Sequence, residues 1–269
     1  RRFPARSPYM RPSRTARAPA FVLTSAALKT DYHIHAEGVG TSSQRGQAVP
    51  LVVVFDGDYF FEDAVNAAHE LHAAEVIPPL LVAGVGYGRP FGDPGNRRGR
   101  DYTQSRSPDE PDSGGADAFL EFLAAQLMPE LETRYAVDRK LSAFAGHSLS
   151  GLFVLYALFQ EQPVVCRAIV GAPSIWWDDR NLLKHIAAYR EARASLPAEI
   201  FLGVGEDETP SMLDDLERLD VQLRARPFSD LGITTKRFPG RTHYDLTPDL
   251  FRAGLRALYG CGGGPANRG

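Results

Sequence analysis

A serine stands in a chemically suggestive setting at Gly146-His147-Ser148-Leu149-Ser150-Gly151. A strand-like apolar run (residues 141–145) precedes it and a strongly apolar, helix-like stretch (residues 148–160) follows. This is the strand–turn–helix setting of a nucleophile elbow, in which a strained turn lifts the hydroxyl clear of the sheet. The positions two before and two after must be small, because strand end and helix start nearly touch. Gly146 meets the first demand; Ser150 stands where glycine is usual, with Gly151 one step later. The competing reading is an ordinary serine N-cap; the preceding strand and the mid-chain position favour Ser148 as nucleophile.

A serine hydroxyl is nearly inert at neutral pH and needs an imidazole to take its proton and a carboxylate behind that imidazole. Two histidines follow Ser148. His185 falls inside a predicted helix, whereas His243 follows a predicted strand (234–238) and precedes the last helix, where the base belongs. The acid is expected after the predicted strand 200–204, in Gly205-Glu206-Asp207-Glu208. Glu208 comes first by the G-x-x-acid form, with Asp207 and Glu206 as alternatives. An oxyanion needs two preorganised donors. The backbone N–H groups of Leu149 and of Asp58, in the turn Asp56-Gly57-Asp58, are the candidates. The same two aspartates could suggest a metal site, but an i, i+2 pair carries little weight. His33-x-His35 and His69-x-x-His72 lack partners at ligand spacing, so no metal and no cofactor are expected.

The elements that must position these groups alternate from residue 51 onward. Strands are predicted at 51–55, 80–85, 141–145, 167–170, 200–204 and 234–238, with helices at 64–74, 116–135, 148–160, 182–192, 211–224 and 248–259. Two short strands (21–28 and 31–36) come before. Continuous β-branched runs such as LVVVF suit strands buried on both faces. The pattern is that of an α/β protein, with a doubly wound, mainly parallel sheet and helices on both faces. Sites in such sheets lie at the carboxyl ends of strands. The long segment 86–115 begins at one such end and carries Tyr87, Tyr102 and arginines 89, 97, 98 and 100. Arg97 and Arg98 read as solvated loop. Arg100 reads either as an ion-pair partner of Asp101 or as an anion fork. Trp177 reads as core. Tyr87, Arg100 and Trp176 are the substrate-side candidates, and His147 is expected to pack beneath the elbow.

Composition limits the alternatives. A net charge of −3 argues against a nucleic-acid partner, and no apolar run reaches the roughly 18–20 residues of a membrane helix. Two cysteines cannot make a disulfide framework and are expected as free thiols. Residues 1–20 hold six arginines, four prolines and no acid, which reads as a flexible arm. Residues 21–260 read as one domain and 261–269 as a flexible tail. Neither cysteine count nor termini fix the oligomeric state. A cytoplasmic location is expected, or a periplasmic or secreted one if a signal was removed upstream.

Several segments together resemble one family in collinear order: VVVFDGDYFF (52–61), GVGYG (84–88), RRGRDYT (97–103), GGADAFLEFLAAQLMPELETRYAVD (114–138), FAGHSLSGLFVLYALF (144–159), APSIWWDD (172–179) and GRTHYD (240–245). The chain resembles the α/β-hydrolase "putative esterase" family, which includes ferric-siderophore (enterochelin-type) esterases and is related to feruloyl esterases, S-formylglutathione hydrolases and mycolyltransferases. The resemblance implies Ser148, His243 and an acid near Glu208, with the 56–58 turn serving the oxyanion hole. The family's GHS-x-GG elbow reads GHSLSG here, and residues before 50 match only loosely. The expectation is a serine hydrolase that cleaves a small-molecule carboxylic ester through an acyl-serine. Feruloyl or short-acyl ester cleavage, thioester cleavage and acyl transfer are alternatives, as is a non-catalytic binder on the same scaffold.

Overall fold

Apolar runs long enough to be buried on both faces make the centre of the sheet. β3 (Val49–Phe55) and β4 (Leu80–Gly86) are buried at every residue. The computed structural model describes residues 17–41 and 46–260. Most of the predicted arm, the tail 261–269 and Cys261 lie outside the described residues.

The remaining strands are β1 (Phe21–Ser25), β2 (Thr30–Val39), β5 (Val137–His147), β6 (Arg167–Gly171), β7 (Ser195–Gly205) and β8 (Ser229–Phe238). They form one eight-stranded sheet in the order β1-β2-β4-β3-β5-β6-β7-β8. β1 and β2 are antiparallel to their neighbours, and the other six strands run parallel. Helices cover both faces. α1 (Gly57–Ala73) packs against α8 (Thr247–Tyr259), while α5 (Leu149–Leu158), buried along its whole length, packs on β5 and β6. Under the elbow, Phe55 meets Phe144 and Phe153 edge-on at 5.0 Å each, the arrangement that ring quadrupoles favour.

The predicted α/β architecture is the one observed; the differences lie in element boundaries. α1 starts at Gly57, seven residues before the predicted start, because it springs directly from a left-handed turn at Asp56 (φ 54°). The predicted helix 116–135 is interrupted: α3 (Ala116–Phe122) passes through one π turn (Leu123–Leu127) into α4 (Met128–Arg134). The segment 86–115 folds back on itself around the short helix α2 (Arg98–Asp101). α6 (Trp177–Ala192) begins with three left-handed residues, Asp178 to Arg180. α7 (Pro210–Ala225) follows β7. Cys166 is a free, exposed thiol.

Candidate active site

β5 ends at His147, and Ser148 follows with φ 61° and ψ −118°, a conformation costly for a residue with a side chain. The turn is tight enough that a Cβ on Gly146 would lie 2.5 Å from the Ser150 carbonyl oxygen, so glycine is required there. Ser150 fits where the family usually has glycine because its buried hydroxyl works for the turn. It accepts from the His147 N–H at 3.1 Å and donates to the His147 carbonyl at 2.9 Å. The Ser148 hydroxyl lies 3.3 Å from that of Ser174, whose own N–H donates to the Ser148 carbonyl. This contact, not one with an imidazole, is the side-chain hydrogen bond that Ser148 makes here.

Two loops at the ends of β7 and β8 are zipped together by backbone bonds. The Glu206 N–H donates to the Phe238 carbonyl and the Asp207 N–H to the Arg241 carbonyl, each at 3.0 Å. A Cβ on Gly205 would strike the Arg241 carbonyl, so glycine is what allows the approach. The zipper turns Glu208 inward. Its carboxylate is buried and lies 2.8 Å from His243 Nδ1. Glu206 and Asp207 point outward and are exposed.

His147 links this pair to the elbow. Its Nε2 donates to the His243 carbonyl at 2.8 Å, and the two rings lie 4.5 Å apart. Because a carbonyl can only accept, the proton of His147 is on Nε2. Burial, and then the neighbouring His243, push the pKa of His147 well below the ordinary histidine value. His147 therefore stays neutral and clasps the backbone of His243. The unfolded chain takes up a proton at this side chain below about pH 6.5, while the folded chain resists it. The stability associated with neutral His147 is thus present above that pH and is lost as pH falls. Thermal melts should show Tm falling between pH 7 and 5 in the wild type and a shallower fall in His147→Gln; identical slopes would contradict this.

The 56–58 turn is held by the segment the sequence reading treated as open loop. The Asp56 carboxylate is fully buried and accepts two parallel bonds from Arg98, at 2.9 Å each. Its N–H donates to the Tyr102 hydroxyl. Arg98 also lies over the Phe91 ring at 4.4 Å. The expectation that Arg98 is a solvated loop residue is therefore corrected: it anchors the left-handed residue from which α1 springs. The Asp58 carboxylate accepts the N–H groups of Tyr87 at 2.6 Å and Gly88 at 3.0 Å, tying α1 to the end of β4. Leu149 and Asp58 lie in the first turns of α5 and α1, where N–H groups lack intrahelical partners. Removing one partner of a buried ion pair costs about 3–5 kcal/mol. Arg98→Ala should therefore lower Tm by roughly 10 °C, with Arg98→Lys recovering only part, since lysine cannot reproduce the two-pronged contact. A calorimetric Tm within about 2 °C of wild type for Arg98→Ala would contradict this.

Two of the three substrate-side candidates are committed to the framework instead. Tyr87 is buried, with its hydroxyl donating to Asp101 at 3.0 Å. The Arg100 guanidinium donates to Asp101, the Leu28 carbonyl, the Thr30 hydroxyl and the Tyr32 hydroxyl. Of its two sequence readings, the ion pair with Asp101 is the one formed. Trp176 is 37% exposed, two residues beyond Ser174, while Trp177 is buried and donates its indole N–H to the Ser105 carbonyl. His185 Nε2 donates to the Phe159 carbonyl at 2.8 Å, away from the elbow. No described helix is long and apolar enough to cross a membrane.

An elbow at the carboxyl end of the central parallel strand β5, with an acid–imidazole pair from the ends of β7 and β8, defines an α/β-hydrolase. The "Putative esterase" family model matches residues 25–243, and the chain belongs to that family. It is a carboxylic ester hydrolase of the serine type. The chain is 31% identical to the ferri-bacillibactin esterase BesA of Bacillus subtilis, over 77% of this chain and 78% of that one. A siderophore triacetylfusarinine C esterase of Aspergillus fumigatus is 29% identical over 61% of this chain, and the match spans about half (54%) of that protein. Among solved structures, the BES protein of Bacillus cereus superposes with a TM-score of 0.77 at 25% identity, covering 89% of this chain and 94% of that one. The siderophore hydrolase EstB of Aspergillus nidulans shares the fold, with a TM-score of 0.76 at 24% identity, over 89% and 93% of the two chains.

Proposed function

We propose that this chain hydrolyses the ester bonds of a siderophore, with Ser148 as nucleophile, His243 as proton shuttle and Glu208 as the group that orients it. The observation that carries the roles is the inward-turned Glu208 carboxylate 2.8 Å from His243 Nδ1. That bond fixes the tautomer in which Nε2 is bare and able to accept a proton. In this reading the Ser148 hydroxyl leaves Ser174 and hydrogen-bonds to Nε2 when substrate is bound. Serine Oγ then bonds to the ester carbonyl carbon as its proton passes to Nε2. The developing oxyanion is received by the N–H groups of Leu149 and Asp58. Collapse expels the alkoxide, which takes the proton from Nε2 and leaves an acyl-serine; water repeats the sequence and releases the acid.

The siderophore reading is supported by two relatives that resemble this chain over most of its length, one named a ferri-bacillibactin esterase and the other a siderophore hydrolase. Exposed Trp176, two residues beyond Ser174, offers an aromatic face for the acyl group. The test is a turnover screen covering a ferric tri-catecholate tri-ester, its iron-free form, a feruloyl ester, a short p-nitrophenyl ester and a thioester. The siderophore esters should show the highest kcat/KM. A hundredfold preference for the feruloyl ester or the thioester would overturn the substrate assignment and leave the serine chemistry in place.

A further inference from the structure

His35, on β2, is buried, and neither of its ring nitrogens has a hydrogen-bond partner among the described residues. A buried polar group left without a partner is costly, and an apolar side chain would fill the same space without that cost. Strand alternation puts His35 and Glu37 on one face of β2. Glu37 is taken by Arg17 at 2.8 Å and His69 at 3.5 Å. The acid that His35 faces is Asp58: its Nε2 lies 3.6 Å from Asp58 Oδ1, just beyond hydrogen-bond length. The Phe61 ring, with its centroid 5.3 Å away, packs against the imidazole.

The backbone around this pair is shaped to bring it together. A Cβ on Gly57 would lie 2.6 Å from the Val85 nitrogen, and one on Gly86 would lie 2.5 Å from the Asp58 carboxylate. Both positions need glycine, so that the first turn of α1 can sink onto the end of β4. Asp58 Oδ2 then takes the N–H groups of Tyr87 at 2.6 Å and Gly88 at 3.0 Å. Oδ1 receives the Gly88 N–H at the longer distance of 3.2 Å and is the oxygen nearest His35 Nε2 in the ion pair.

Asp58 thus presents an N–H toward the elbow and a carboxylate toward β4, and the two roles conflict. A carboxylate close to a forming negative charge raises the energy of the transition state more than that of the bound ester. A donor that draws charge from the carboxylate relieves the conflict, and does so most when the oxyanion is present. His35 is placed to be that donor.

Resting on the assignment of the Asp58 N–H as an oxyanion donor, we propose that His35 is a positioning residue for ester hydrolysis. Its Nε2–H closes onto Asp58 Oδ1 as the oxyanion forms, and holds the carboxylate and the donor of the same residue in place. The chain carries two acid–imidazole pairs on this account: Glu208–His243 serves the nucleophile, and Asp58–His35 serves the oxyanion.

Phenylboronic acid is the probe, because it adds to a serine hydroxyl as a tetrahedral anion and so copies the oxyanion. His35→Phe removes the donor and keeps an aromatic ring. It should lower kcat/KM for p-nitrophenyl acetate about tenfold and raise the Ki of phenylboronic acid by a similar factor, less than the loss that follows removal of an oxyanion donor itself. His35→Gln, which can still offer an N–H, should stay within about threefold of wild type in both. In an Asp58→Asn background the charge is gone, and there His35→Phe should change either quantity by less than about twofold, because the two residues act as one unit. A purely packing role would lower Tm and give the same loss in both backgrounds. A structure of the wild-type boronate adduct reads the contact without any variant: the Nε2–Oδ1 separation should shorten to about 3.2 Å or less. Unchanged kcat/KM in a folded His35→Phe, equal losses in the two backgrounds, or a separation still at 3.6 Å in the adduct would each overturn the proposal. An adduct whose boronate oxygen is held by groups other than the Asp58 N–H would remove the oxyanion assignment, and the proposal with it.

Discussion

Ser148→Ala should lower kcat on any accepted ester by about 10⁴-fold or more, with Tm within about 2 °C of wild type. The expected size follows from what the side chain does. Every later step needs the covalent bond to serine Oγ, and the groups left behind (two N–H donors and a neutral imidazole) provide only the residual catalysis that survives loss of a triad member. The fold should tolerate the change because the elbow is held by other groups: the Ser148 N–H on the Gly171 carbonyl, and the Ser150 hydroxyl bridging both ends of His147. A loss of only tenfold would mean that another group attacks.

The second large effect is expected at the acid. Glu208→Gln should reduce kcat by roughly 10³–10⁴-fold, while Glu206→Gln and Asp207→Asn should stay within about threefold of wild type. Glutamine can still touch Nδ1 but can present an N–H there, and the imidazole then loses both its charge partner and its preferred tautomer. The two neighbours are exposed and contribute to the site only through their backbone N–H groups, which the substitutions keep. Steady-state kinetics of the three variants on one ester decides the matter. A silent Glu208→Gln would mean that Ser148 and His243 work as a pair without it.

Much of this site was legible in the sequence because its parts sit at strand ends, and strand ends are marked by where apolar runs stop. The LVVVF run, the Gly146–Gly151 turn and the loop before the final helix each announce a position at the same edge of the sheet. The choice among three consecutive acids was legible only as a preference. What decides it is the Gly205 approach to the Arg241 carbonyl, a contact between loops 36 residues apart in number whose register no single segment reveals.

Arg98 and Tyr87 were misjudged for a related reason. In a segment rich in Gly, Pro and Arg, charge suggests solvent, yet the Asp56 partner of Arg98 lies 42 residues away and removes both charges from water. Asp56 and Asp58, which carried little weight as a ligand pair in the sequence, each have their carboxylate engaged by the loop that follows β4. The early start of α1 belongs to the same cause: the left-handed turn at Asp56 depends on that ion pair, and local propensity does not encode it.

The most direct measurement is covalent labelling with a small fluorophosphonate, read as intact mass and then by peptide mapping. The wild type should gain one phosphonyl group, carried on Ser148. Ser148→Ala should gain none, and His243→Ala should react at least about a hundredfold more slowly because nothing takes the serine proton. A label on any other residue, or no label on a folded and ester-active wild type, would contradict the assignment of Ser148 as the nucleophile.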